Sequence, residues 1–217
     1  MAARAKPGGG GERPILVINP GSTSTKLALF RTGSCVHNAA VEHSTRQLAR
    51  FRRVADQEDW RAGIVAAYLA ERGTAPRDLA AAVGRGGLLR PLRGGTYRVS
   101  ARMKRELRAA RWGEHACNLG ALLADRVARP ERRPAFVVDP VVVDELDDEA
   151  RLTGIPELPR RSVFHALSQR AAARLACAEL GLSYSRAHLV VAHLGGGVSV
   201  GAHRRGRGGE GNNALGG

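Results

Sequence analysis

Arg13-Pro-Ile-Leu-Val-Ile-Asn-Pro-Gly-Ser-Thr-Ser-Thr-Lys-Leu-Ala-Leu-Phe-Arg31 is the stretch whose reading decides the fold. Ile15 to Ile18 is a short β-branched and leucine run, the pattern of a buried strand. Asn19, Pro20 and Gly21 break it with three turn-forming residues. Lys26 to Phe30 resumes an apolar-rich strand, so the unit reads strand, polar turn, strand. Ser22, Thr23, Ser24 and Thr25 fill the turn with hydroxyls, and Lys26 follows at once. Turn amides gathered into one concavity, hydroxyls and a nearby ammonium are the groups that bind phosphate. A Walker A loop would place Gly-Lys-Ser/Thr at the start of a helix, whereas Lys26 here enters a strand. The alternative is a Ser/Thr-rich hairpin tip with no ligand.

Outward from this hairpin, Ser34–Ser44 reads as a third antiparallel strand. A helix is predicted over 56–72, with Trp60, Ile64, Val65, Tyr68 and Leu69 as its apolar stripe, acids at its start and Gly73 at its end. Asp78 to Val83 reads as a strand leading into Gly84-Arg85-Gly86-Gly87. Ser100 caps a helix to about Arg111, and a second helix runs from about Glu114 to Ala128. Pro134 to Pro140 is a short buried strand ending in Asp139, and an acid at the carboxyl end of such a strand is where α/β proteins hold ligands. Phe164 to Leu180 is an alanine-rich helix closed by Gly181. His188–Leu194 and Val198–His203 then flank Gly195-Gly196-Gly197, a second hairpin with a glycine tip. Two such tips facing across a cleft would hold the two ends of one polyphosphate. The acids Asp144, Glu145, Asp147, Asp148 and Glu149 read as a solvated helix face.

Composition narrows the classes. The chain has 217 residues, 43% of them apolar and 4% aromatic, enough to bury a core. Cys35, Cys117 and Cys177 are odd in number, widely spaced and without a CxxC pair, which argues against a disulfide framework or a zinc site and reads as three buried thiols. The net charge of +14 raises nucleic-acid binding, but the basic residues are scattered and few aromatics lie among them. The reading is no nucleic acid and no membrane, with a basic surface that draws anionic substrates. Residues 1–12 read as a disordered tail, and the absence of a signal-peptide apolar core points to the cytoplasm.

Val17 to Lys26 resembles the first phosphate motif of the acetate and butyrate kinases, within the sugar kinase, Hsp70 and actin superfamily. His193-Leu-Gly-Gly-Gly197 is similar to their second. Val83–Pro91, Val137–Leu146 and Arg161–Gln169 favour the butyrate kinase branch, and the five stretches occur in the family's order between about Ile15 and Arg207. The resemblance implies an α/β fold: a ribonuclease-H-like (actin-like ATPase) domain over 13–155 and the beginning of a second similar domain over 156–217. It implies ATP and Mg2+ as cofactors, a short-chain carboxylate as substrate, an acyl phosphate as product and homo-oligomers for full-length members.

Residue by residue, it implies that Asn19, Gly21, Ser22, Thr23, Ser24 and Lys26 face phosphates, with Asn19 at the metal. Gly195, Gly196 and Gly197 would let backbone amides approach ATP. Arg85 would pair with the carboxylate and then with the moving phosphoryl group. Asp139 would organise carboxylate or metal, His165 would donate to the phosphoryl group, and His193 would order the glycine loop. Read from the residues alone, Arg85 is a turn residue, Asp139 a cap, and His115, His165 and His193 core histidines. Asn212 to Leu215 still resembles the family, while Arg207–Gly211 replaces a more apolar strand. The family continues well beyond this point, so the expectation is a C-terminally truncated kinase, the alternative being an inactive or partner-dependent remnant with exposed apolar surface.

Overall fold

The computed structural model describes residues 12–158, 160–195 and 197–212. The first hairpin is formed by β1 (Ile15–Pro20) and β2 (Ser24–Arg31), antiparallel with Asn19 opposite Lys26. Their alternation sends Leu16, Ile18, Leu27 and Leu29 to one face, where each is at most 2% exposed. β3 (Ser34–Glu42) continues the meander antiparallel to β2. A short helix α1 (Thr45–Leu48) follows, capped reciprocally by Ser44 and Gln47. A 3-10 turn then leads into α2 (Glu58–Glu71).

β4 (Ala81–Arg85) enters parallel to β1, starting three residues later than the sequence pattern predicts because Pro76–Asp78 forms a 3-10 turn. β5 (Thr96–Arg98), α3 (Ala101–Arg108), α4 (Asn118–Ala128) and β6 (Ala135–Val138) complete the first unit. β6 lies parallel to β4, and β5 antiparallel to β6, giving the six-stranded order β3-β2-β1-β4-β6-β5. Val65, Tyr68 and Leu69 of α2 and Leu119, Leu122 and Leu123 of α4 cover one face and close the main core.

One contact fixes the site end of this sheet. A Cβ on Gly84 would lie 2.0 Å from the Gly120 carbonyl oxygen, and a Cβ on Gly120 would lie 2.1 Å from the Arg85 carbonyl oxygen. Only two glycines allow α4 to rest on β4 backbone to backbone, which sets where Arg85 leaves the sheet.

The second unit holds α5 (Ala166–Glu179) against the antiparallel sheet of β7 (His188–Leu194), β8 (Val198–Arg204) and β9 (Arg207–Gly211). Ser199, Gly201 and His203 face inward and are buried, while Val190 and Leu194 on the other face are each 77% exposed. Arg207–Gly211 is a strand although its composition is poor for one: β8 supplies the ladder.

Two further expectations need correction. Cys117 and Cys177 are buried, but Cys35 is exposed on β3. The acids of 144–149 are not a solvated helix face. Asp144 pairs with Arg151, Asp147 with Arg204, and Glu145 with Arg170; only Asp148 and Glu149 of the five are exposed. The tail expected over 1–12 lies outside the described residues except for Glu12, as do Gly196 and the stretch after Asn212.

Candidate functional site

Both hairpin tips open onto one cavity of about 630 Å³. From the β1–β2 tip it is lined by Asn19, Gly21, Ser22 and Lys26, and from the β7–β8 tip by His193 and Gly197. Arg85 at the end of β4 and His165 at the start of α5 line it as well. Asn19, Arg85, His165 and Asp139 also share an adjoining pocket of about 160 Å³. Thus residues from Asn19 to Gly197 converge through strand ends and turns.

The turn itself is pinned from within. The Gly21 N–H donates to the Ser24 carbonyl at 2.8 Å, and the His43 N–H to the Thr23 carbonyl at 2.7 Å. Carbonyl oxygens that would repel an anion are therefore turned into the protein. Ser24 is buried and Thr23 points to solvent; neither lines the cavity. Gly195 does not line it either, but its backbone lies against His193: a Cβ there would meet the imidazole Nε2 at 3.2 Å.

Arg85 donates to the Asn19 side-chain oxygen at 3.5 Å, linking β4 to the turn. His165 stacks on His193 with ring centroids 3.8 Å apart and planes 12° from parallel. Burial, reinforced by the positive fields of His193, Arg85 and His115, pulls the His165 pKa down to about 4, so the ring is neutral near pH 7. Its tautomer follows from a count of hydrogen bonds. The Ser199 hydroxyl oxygen accepts from Gln169 Nε2 at 3.0 Å and from the His165 N–H at 3.3 Å, which uses both its lone pairs. Its one proton therefore goes to His165 Nδ1, 2.8 Å away, and the ring proton sits on Nε2. Behind Ser199 the chain continues: Gln169 Oε1 accepts from His203 Nε2 at 2.9 Å, and Tyr184 donates to His203 Nδ1 at 2.7 Å.

Asp139 is 3% exposed and held in the left-handed region at φ 39°, which an aspartate tolerates better than a branched residue. One carboxylate oxygen accepts from the Gly95 N–H at 2.8 Å and from Arg170 at 3.0 Å; the other, among the described residues, has only Arg174, at 3.9 Å. Arg170 also binds Glu145 at 2.5 Å, so α5 is tied to the first unit through a buried arginine between two acids. Among the described residues no cluster of three or more His, Cys, Asp or Glu is placed to hold a metal ion. Asn19 and the second oxygen of Asp139 in one pocket nevertheless fit Mg2+, which prefers one or two protein oxygens with phosphate and water completing its shell.

Sequence reasoning missed several contributors. His115 lines the cavity, its Nδ1 3.0 Å from the Cys117 sulfur; burial, with the Arg85 charge, lowers its pKa, and burial lifts the Cys117 thiol to about 11. Leu88, Val141, Val163 and Phe164 form an apolar wall; they lie in stretches that carry the resemblance, but no pattern in those stretches marks them as a wall. The contacts of Ser199, Gln169 and Arg170 were invisible because their partners lie 25 or more residues away in the chain.

No protein-family model matches the chain. Over 204 residues, 94% of its length, it is 52% identical to a protein of Coprothermobacter proteolyticus named probable butyrate kinase, of which it covers 57%. It is 50% identical over 193 residues, 89% of the chain, to a probable butyrate kinase of Enterococcus faecalis, of which it covers 53%. The chain thus spans little more than half the length of these curated relatives. Its fold matches the acetate kinase of Porphyromonas gingivalis with a TM-score of 0.66 at 15% identity, covering 93% of this chain and 57% of that one. It also matches a propionate kinase of Francisella tularensis with a TM-score of 0.63 at 17% identity, covering 93% and 57%. In sequence the chain is similar to proteins named probable butyrate kinase, and it shares the α/β fold of an acetate kinase and a propionate kinase.

Proposed function

We propose that the cavity transfers the γ-phosphoryl group of ATP to the carboxylate of a short-chain acid such as butyrate, giving an acyl phosphate and ADP. The observation that carries this reading is the single cavity shared by two polar hairpin tips, Arg85, a neutral histidine and an apolar wall. A carboxylate oxygen attacks the γ-phosphorus while the bond to the bridging β-oxygen breaks. The acceptor is already ionised near neutral pH, so the reaction needs charge neutralisation and alignment rather than a base.

Ser22 and Lys26 at one tip, beside Gly21, and the backbone of Gly197 at the other take the phosphates of ATP. Arg85 carries the carboxylate and then the equatorial oxygens of the moving group. His165 donates its Nε2 proton to the same oxygens. Leu88, Val141, Val163 and Phe164 receive the alkyl chain, where each buried methylene contributes about 0.8 kcal/mol. Asn19 and Asp139 would hold Mg2+, which supplies further neutralisation of the phosphates. Asp139, already bound to Arg170, organises and does not accept a proton.

Trapping the product with hydroxylamine on acetate, butyrate and isobutyrate tests this. Butyrate-dependent hydroxamate supports it; ATP hydrolysis without hydroxamate contradicts it. A second reading, a chain that acts only with a partner polypeptide, is favoured by the apolar face carrying Val190, Leu194, Val198 and Val200. It predicts hydroxamate only when that face is covered.

A further inference from the structure

Arg61 is the largest fully buried side chain among the described residues, 0% exposed, and lies in the first turn of α2 beside its apolar stripe. Its Nε donates to Gln57 Oε1, and its Nη1 to the Ser24 carbonyl and the Thr25 hydroxyl, all at 3.0 Å. Nη2 is buried without a partner. Every acceptor is neutral, and no carboxylate pairs with Arg61 among the described residues. The neighbouring His43 adds no negative charge: it is bound to Thr25 Oγ1 at 2.8 Å, and burial together with Arg61 lowers its pKa. A guanidinium taken out of water without a counter-ion is costly, and natural cores seldom retain one.

The position of this charge gives it a use. Ser24 and Thr25 open β2 directly after the turn that carries Gly21 and Ser22 to the cavity, so Arg61 stands directly behind that turn. We infer that Arg61 is a positioning residue for phosphate: it fixes the inward carbonyl of the β1–β2 turn, and its buried charge is neutralised by an anion seated on the cavity side. This rests on the reading of that turn as a phosphate seat. In a medium of low effective dielectric a charge one layer behind the turn still acts on a phosphate, whereas in water it would be screened. Unlike Lys26, it cannot swing away or exchange with solvent ions.

Inorganic pyrophosphate, which lacks both adenosine and an acyl acceptor, is the probe. Its affinity for the wild-type chain, for Arg61→Lys and for Arg61→Gln is measured by calorimetry, with thermal midpoints of the ligand-free proteins alongside. Arg61→Gln keeps donors for Ser24 and Thr25 but loses the charge; Arg61→Lys keeps the charge. The expected result is roughly ten-fold weaker binding for the Gln variant and a loss within about three-fold for the Lys variant, with similar midpoints for the two. Equal affinities for all three, equal losses in both variants, or no pyrophosphate binding by the wild type would each overturn the inference. Should the Gln variant not fold, a Lys variant weakened by more than about ten-fold overturns it as well. Pyrophosphate binding that follows the expected order in a chain making no acyl phosphate would sink the kinase reading and leave Arg61's role standing.

Discussion

At the scale of single residues, the account turns on Arg85 and His165. Arg85→Ala removes a guanidinium that lines the cavity, and butyrate-dependent turnover should fall at least about a hundred-fold with the fold intact by circular dichroism. Ser199→Ala tests the tautomer argument. Without the hydroxyl, His165 Nδ1 loses the proton donor that forces its ring proton onto Nε2. Turnover should fall about ten- to a hundred-fold with KM little changed, and the acid limb of the pH profile should move. An unchanged profile would mean that Ser199 is structural only. The residues that carry resemblance were legible because turns and glycines are local signals. Arg61 was not: an arginine beside an apolar stripe reads as lying outside the pattern until the structure shows it buried.

Among the elements, the β1–β2 hairpin was readable because its inward residues alternate with period two and its turn is chemically marked. β5 is three residues long and β9 is mostly glycine, so neither offers a pattern; the ladder from β6 and from β8 makes them strands. The packing of α4 on β4 rests on Gly84 and Gly120, whose spacing in sequence says nothing about their contact. Gly120→Ala places a methyl against the Arg85 carbonyl and should cost about 3 kcal/mol, read from denaturant unfolding. The same change should weaken carboxylate binding, because the end of β4 must move. A loss of stability below 1 kcal/mol would contradict the close approach.

For the whole molecule, charge and exposed apolar surface make the predictions. Burial lowers the pKa of His43, His115 and His203 as well as that of His165, which falls to about 4. Each is neutral in the folded state at a pH where the unfolded chain, with histidines near 6.5, takes up protons. The unfolded state therefore binds more protons below that pH, and stability falls with pH from about 6.5 towards 4. Thermal midpoints at pH 7.5 and 5.5 check the sign; a midpoint that rises on acidification would be against it. The outer face of β7 and β8 leaves Val190 and Leu194 77% exposed, an apolar surface of the kind that marks interaction sites. Val190→Lys with Leu194→Glu should raise solubility and lower the binding of an apolar dye; no change in either would show that the face is already covered in solution.

The most direct measurement of the central claim is phosphorus NMR of the wild-type chain with ATP, Mg2+ and butyrate. The account predicts an acyl phosphate resonance that grows as the γ-phosphate of ATP declines and is absent with Arg85→Ala. A γ-phosphate that is released only as inorganic phosphate, or that persists in a chain shown to bind ATP and butyrate, would contradict it.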